Sequence, residues 1–180
     1  MQGPAISILP VRGPDCPDAL LRQVEAIFWE TTRRIPNPGA EREAFRERWL
    51  GRYLGGRDVV LLAVAEKSIV AGYLVGALDN PALQKRFADI AYFRTAFADL
   101  CRRFPAHLHV NLTASYRSQG IGVRLIEAFA QAARDAGAPG MHVVTGRGMR
   151  NVRFYERCGF VEQGSIERDG GEGVFLGRTL

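Results

Sequence analysis

One segment constrains the fold more than any other. Arg117-Ser118-Gln119-Gly120-Ile121-Gly122 sits between an apolar strand pattern over residues 104–112 and the clearest helical pattern in the chain, residues 119–136. Ile121, Leu125, Ile126, Phe129 and Ala133 fall on one side of that helix. Two glycines at a strand-to-helix junction let the backbone approach a ligand closely. Amides at the helix start, helped by the helix dipole, then face an anion. This is the chemistry of a pyrophosphate cradle, although a plain tight turn uses the same glycines. A Walker loop requires Gly-Lys-Ser/Thr, which is absent. A dinucleotide fingerprint requires a third glycine three residues after Gly122, where Leu125 stands.

A second constellation follows, Asn151-Val152-Arg153-Phe154-Tyr155-Glu156-Arg157-Cys158-Gly159-Phe160. Asn151 and Tyr155 are four apart and share a helical face. Phe154 and Cys158 share another face, suited to the core. This spacing predicts Tyr155 on an exposed side, where its hydroxyl is placed to donate a proton. A tyrosine packed at a strand-helix junction is the alternative.

The remaining pattern is a mixed α/β chain. Strands are expected over residues 5–11, 59–65, 69–78, 104–112, 140–145, 160–166 and 173–176. Helices are expected over residues 18–29, 41–54, 119–136 and 149–157, the last stopping at Gly159. Residues 82–103 look helical through Leu83, Phe87, Ile90, Phe97 and Leu100. The order is β-α-α-β-β-(α)-β-α-β-α-β-β. The connection over residues 80–103 is long, and long connections are often functional. It is expected either to wall an acceptor pocket or to serve as a packing helix or dimer contact.

Length and composition set the outer bounds. The chain has 180 residues, enough for one domain, 1–180, with a sizeable core. No apolar run approaches the roughly 20 residues that span a bilayer. The first residues lack the pattern of a signal peptide. Cys16, Cys101 and Cys158 are few, far apart and without a Cys-x-x-Cys pair, which argues against a disulfide scaffold and fits a reducing cytoplasm. The formal net charge of +5 suits an anionic small molecule, or reflects arginine usage alone. The basic residues are spread along the chain, so a nucleic-acid surface is not expected.

Taken together, residues 104–165 resemble the GNAT superfamily of N-acetyltransferases. Arg117, Gly120 and Gly122 match its Arg/Gln-x-x-Gly-x-Gly/Ala loop. Phe154, Tyr155, Gly159 and Phe160 match its Phe/Leu-Tyr-x-x-x-Gly-Phe element, with about 35 residues and one strand between the two motifs. Over residues 1–79 the likeness is one of element order. Residues 104–112 are similar to bacterial members related to the acetyltransferase-like domain of O-GlcNAcase proteins. The family often has an asparagine seven residues before the tyrosine. Gly148 stands there, and Asn151 lies on the same helical face.

The resemblance implies a mostly antiparallel central sheet flanked by helices, an α/β (α+β) fold. It implies acetyl-CoA as co-substrate and direct acetyl transfer to a primary amine of a small molecule or protein. The alternative is a non-catalytic acetyl-CoA-binding module. It implies that main chain near Val110 and Leu112 holds the pantetheine arm, with the Leu112 amide a donor to the thioester carbonyl. The pyrophosphate falls to the amides of Ser118, Gln119, Gly120, Ile121, Gly122 and Val123, with Asn151 a further contact. Tyr155 is the expected acid for the sulfur. The base is left among His109, His107, Asp79 and water. His107, His109 and Asn111 alternate and so share one strand face. His-Leu-His is also similar to the paired histidines of arylalkylamine N-acetyltransferases. Two histidines without a third ligand make a poor metal site. An exposed closing strand would suit a homodimer.

Overall fold

The computed structural model of the chain describes residues 5–33, 35–168 and 170–180. Its elements run β1 (Ser7–Val11), α1 (Asp18–Thr31), α2 (Ala40–Trp49), β2 (Val59–Ala65), β3 (Ile69–Ala77), α3 (Ala98–Arg103), β4 (Ala106–Leu112), α4 (Ile121–Asp135), β5 (Gly140–Gly146), α5 (Arg150–Arg157), β6 (Val161–Arg168) and β7 (Gly171–Thr179). Seven strands form one mostly antiparallel sheet in the order β1-β2-β3-β4-β5-β7-β6, flanked by the helices. The chain packs as two compact units. One holds the described residues of Met1–Gly76 and His109–Phe129, the other those of Ala77–Leu108 and Ala130–Leu180.

In the first unit β2 lies antiparallel to β1 and β3, pairing Leu9 with Leu62 and Leu62 with Tyr73. Both faces of β3 are covered, with Val70 through Ala77 all buried, so its apolar run has no polar alternation. The side chain of Gln23 on α1 ties the β2–β3 turn in place. Its amide nitrogen donates to the Ser68 carbonyl at 3.1 Å, and its oxygen accepts from the Val70 amide at 3.0 Å. Helices α1 and α2 meet through Phe28, Trp29 and Phe45, with an Arg46–Glu25 ion pair beside them.

The expected helix over residues 41–54 is shorter than its pattern. It ends at Trp49 and turns into a 3₁₀ segment, Gly51–Tyr53, because Leu50 leaves helical geometry at φ −136°. Leu50 and Tyr53, three residues apart, are then both fully covered. A 3₁₀ turn eclipses i and i+3, which an α-helix does not.

In the second unit β5 and β6 flank β7 in antiparallel register, and β4 joins β5 in parallel through Ala106↔Met141 and His107↔His142. Residues 82–103 are not one helix. They fold as 3₁₀ turns at Pro81–Leu83, Lys85–Phe87 and Ala91–Phe93, then α3. The buried side chains explain this. Phe87, Ile90 and Phe93 recur every three residues, the period of the tighter turn, and four-residue steps begin only at Phe97 and Cys101. Leu83, expected on the apolar face, is 76% exposed. β7 is longer than its apolar stretch.

Cys16, Cys101 and Cys158 are all buried. Among the described residues no helix is long and apolar enough to cross a membrane.

Candidate active site

In the first unit β4 runs into the glycine segment through a turn, Ala114–Tyr116. The Thr113 amide donates to the Ala71 carbonyl at 3.1 Å, and Arg117 Nε donates back to the Leu112 carbonyl at 3.1 Å. Gln119 Nε2 donates to the Ser115 carbonyl at 2.8 Å. Ser118 (φ 61°) and Gly120 (φ 77°) are left-handed on either side of Gln119. Such alternation turns successive N–H groups toward one side, making an anion-binding concavity. A Cβ on Gly120 would meet nothing within 4 Å, so glycine is required there by φ and not by space. The Gly120 carbonyl accepts from the Arg124 amide at 3.1 Å and closes the first turn of α4. The amides of Ile121, Gly122 and Val123 have no partner four residues back within the helix. The residues of the expected amide row, 118–123, thus run from the left-handed Ser118 into the first turn of α4.

β4 also carries the imidazole. His109 Nε2 lies 3.2 Å from the Tyr53 hydroxyl. The Trp49 and Tyr53 rings both meet the imidazole edge-on, each centroid 5.5 Å away. Burial first, and the Arg52 charge second, push the His109 pKa down to about 4. The imidazolium is disfavoured both by lost hydration and by a like charge. Two residues on, Asn111 Nδ2 donates to the Tyr73 hydroxyl at 2.9 Å. Burial raises the Tyr73 pKa, so this phenol stays protonated. Each polar side chain on this stretch of β4 is thus held by a buried tyrosine. Neither tyrosine was marked by sequence. Tyr53 had the spacing of an apolar helix face and Tyr73 that of a buried strand, and a phenol hydroxyl in an apolar run was the only signal.

The second unit holds the remaining candidates. Tyr155 is buried, not exposed as its helical spacing suggested, and packs against Phe154 and Phe160. The chain turns back at Gly159 (φ 82°) and lays Phe160 over that ring. Burial, then the neighbouring Cys158, raises the Tyr155 pKa and keeps the phenol protonated. Asn151 Oδ1 accepts from the Thr145 hydroxyl at 3.0 Å, which ties α5 to β5. Asp79 pairs with Arg86 at 2.8 Å. His107, two residues before His109 on β4, has different neighbours. It is buried among Phe87, Phe93 and His142, and the His142 ring stacks on Phe175. Among the described residues no group of three or more His, Cys, Asp or Glu side chains is placed to hold a metal ion.

The model of the acetyltransferase (GNAT) family matches residues 21–160. The chain belongs to the GNAT acetyltransferase family. Its fold is also that of solved structures. SsHAT superposes with a TM-score of 0.70 at 21% identity, over 98% of both chains. Ribosomal-protein-alanine N-acetyltransferase from Brucella melitensis gives 0.61 at 20%, over 97% of this chain and 99% of that one. A Bacillus anthracis str. Ames protein assigned as a streptothricin acetyltransferase, solved in complex with acetyl coenzyme A, gives 0.54 at 18%, over 72% and 67%. GNAT proteins carry out acetyl transfer with acetyl-CoA as co-substrate. A glycine segment that leads into a helix start is the kind of element that can hold a pyrophosphate, because the first amides of a helix have no intrahelical partner.

Proposed function

We propose that residues 1–180 work as one acetyltransferase domain that moves an acetyl group from acetyl-CoA directly to a primary amine of a small molecule or a protein. One observation carries this reading. A neutral imidazole, His109, sits on the strand whose end leads into the amide row. A base on this strand would lie in the same element that is expected to hold the pantetheine arm, which supports the reading. The family match through both units supports the single domain.

Acetyl-CoA supplies an activated thioester. Main-chain groups at Val110 and Leu112 hold the arm, and the Leu112 amide donates to the carbonyl oxygen as charge develops. His109 takes the proton that the amine loses on attack. Tyr155, with its pKa raised by burial, carries the proton that the departing sulfur needs. Amides of residues 118–123 hold the pyrophosphate. Asn151 adds its NH₂ group, its oxygen being held by Thr145. We assign Asp79 to its ion pair with Arg86 and not to base catalysis. Three buried thiols suit a reducing compartment such as the cytoplasm.

The test is thiol release from acetyl-CoA in the presence of amines, peptides and amino sugars. Wild type is expected to turn over at least one acceptor. Tyr155→Phe is expected to lose about 10²-fold or more in kcat, and His109→Ala a similar factor. Acetyl-CoA binding without turnover on any acceptor would instead identify a binding module. Absence of binding would remove the reading altogether.

A further inference from the structure

Tyr53 has no side-chain surface in solvent, and its hydroxyl lies 3.2 Å from one imidazole nitrogen, 56 residues away in sequence. Its ring and that of Trp49 meet the same imidazole edge-on, at 67° and 80°. One hydrogen bond and two ring edges leave the imidazole little freedom to rotate or flip. A histidine held neutral near pH 7 has one property left to set, namely which nitrogen carries its hydrogen. A pKa near 4 puts His109 in that condition.

We propose that Tyr53 is a positioning residue for His109, accepting the Nε2–H hydrogen and so leaving the Nδ1 lone pair for the acceptor amine. The inference rests on the reading of His109 as the base. The opposite direction, with Tyr53 donating to Nε2, puts the hydrogen on Nδ1 and buries the lone pair in the tyrosine bond. No basic nitrogen would then remain. In the step itself the lone pair of the neutral amine forms the bond to the carbonyl carbon, the N–H bond of the cationic nitrogen so formed breaks with its electrons staying on nitrogen, and Nδ1 gains the proton. The resulting imidazolium donates from Nε2 to the Tyr53 oxygen as a charge-assisted bond, stronger than the neutral one. Tyr53 therefore favours the charged state formed during the reaction more than the resting state. The C–S bond then breaks with its electron pair on sulfur, Tyr155 gives that sulfur a proton, and solvent carries the proton held by His109 back to the Tyr155 oxygen.

The experiment is ¹⁵N NMR of the histidine-labelled full chain, together with steady-state kinetics of Tyr53→Phe. Wild type is expected to show His109 as a single tautomer with hydrogen on Nε2. Tyr53→Phe, which keeps the ring, is expected to show a tautomer mixture and about a tenfold lower kcat. KM for acetyl-CoA should stay within about twofold, since the amide row is untouched. A merely structural tyrosine would lower stability without moving the tautomer. Wild-type hydrogen on Nδ1 would overturn the proposal, as would an unchanged kcat in Tyr53→Phe. Should that variant not fold, the wild-type spectrum alone decides. Full activity in His109→Ala would remove the base reading, and the tautomer result would stand apart from it.

Discussion

Arg117 Nε donates to the Leu112 carbonyl across 3.1 Å, so the first residue of the glycine loop is tied to the last residue of the strand before it. This bond fixes where the amide row begins relative to the Leu112 main chain. A hydrogen bond from a charged donor contributes about 1.5–3 kcal/mol. Arg117→Ala is expected to weaken acetyl-CoA binding by about tenfold or more, with a smaller change in kcat at saturation. Calorimetric titration with CoA checks this. Unchanged affinity would show that the loop holds its shape without the tie.

Gly72 lets β4 lie close to β3. A Cβ at that position would stand 2.6 Å from the Asn111 carbonyl oxygen and 2.8 Å from Leu112 Cγ. Backbone cannot yield as a flexible side chain does. Gly72→Ala is expected to destabilise the fold by about 1–3 kcal/mol. For a chain of this length that lowers Tm by roughly 4–8 °C at the middle of the range. A thermal melt at fixed pH reads it, and an unshifted Tm would mean that the strands have slack.

Stability should also depend on pH through His109. Its folded pKa is near 4, below the ordinary value of 6.5. The unfolded chain binds a proton between these values and the folded chain does not, so stability falls as pH drops from about 6.5 to about 4 and levels below that. The side chain is only partly covered, so the loss is roughly 1–3 kcal/mol. Urea unfolding from pH 7 to pH 4 should show this slope in wild type and a shallower one in His109→Gln. Equal slopes would place the titration elsewhere.

Asp79 offers a contrast. Its carboxylate is partly exposed and held by Arg86 at 2.8 Å. Exposed ion pairs contribute about 0–1 kcal/mol. Asp79→Asn is expected to leave kcat within about twofold and to lower stability by less than about 1 kcal/mol. A hundredfold fall in kcat would return this residue to the list of bases.

Periodicity made much of the fold legible. β2, β3 and α4 carry patterns strong enough to place them within a few residues, and the family motifs put the glycine segment at the start of α4. Residues 82–103 misled because apolar side chains spaced by three and by four look alike in a short segment. Only packing separated 3₁₀ turns from helix. Tyr155 misled for a related reason. Its four-residue relation to Asn151 correctly gives a shared face of α5, but a face has no inside or outside until Phe160 folds back over it.

The sequence by itself determined the features that depend on neighbours in the chain. These are the glycine that permits φ 77° at position 120, the helix start that follows it, and the spacing that marks the family. Tertiary structure alone decided what surrounds each titratable group. His107 and His109 are two residues apart on one strand, yet one lies buried among phenylalanines and the other meets a tyrosine hydroxyl. A hydrogen bond and a desolvation depend on distance in space, and the sequence separation of 56 between Tyr53 and His109 carries no local pattern that would announce their meeting.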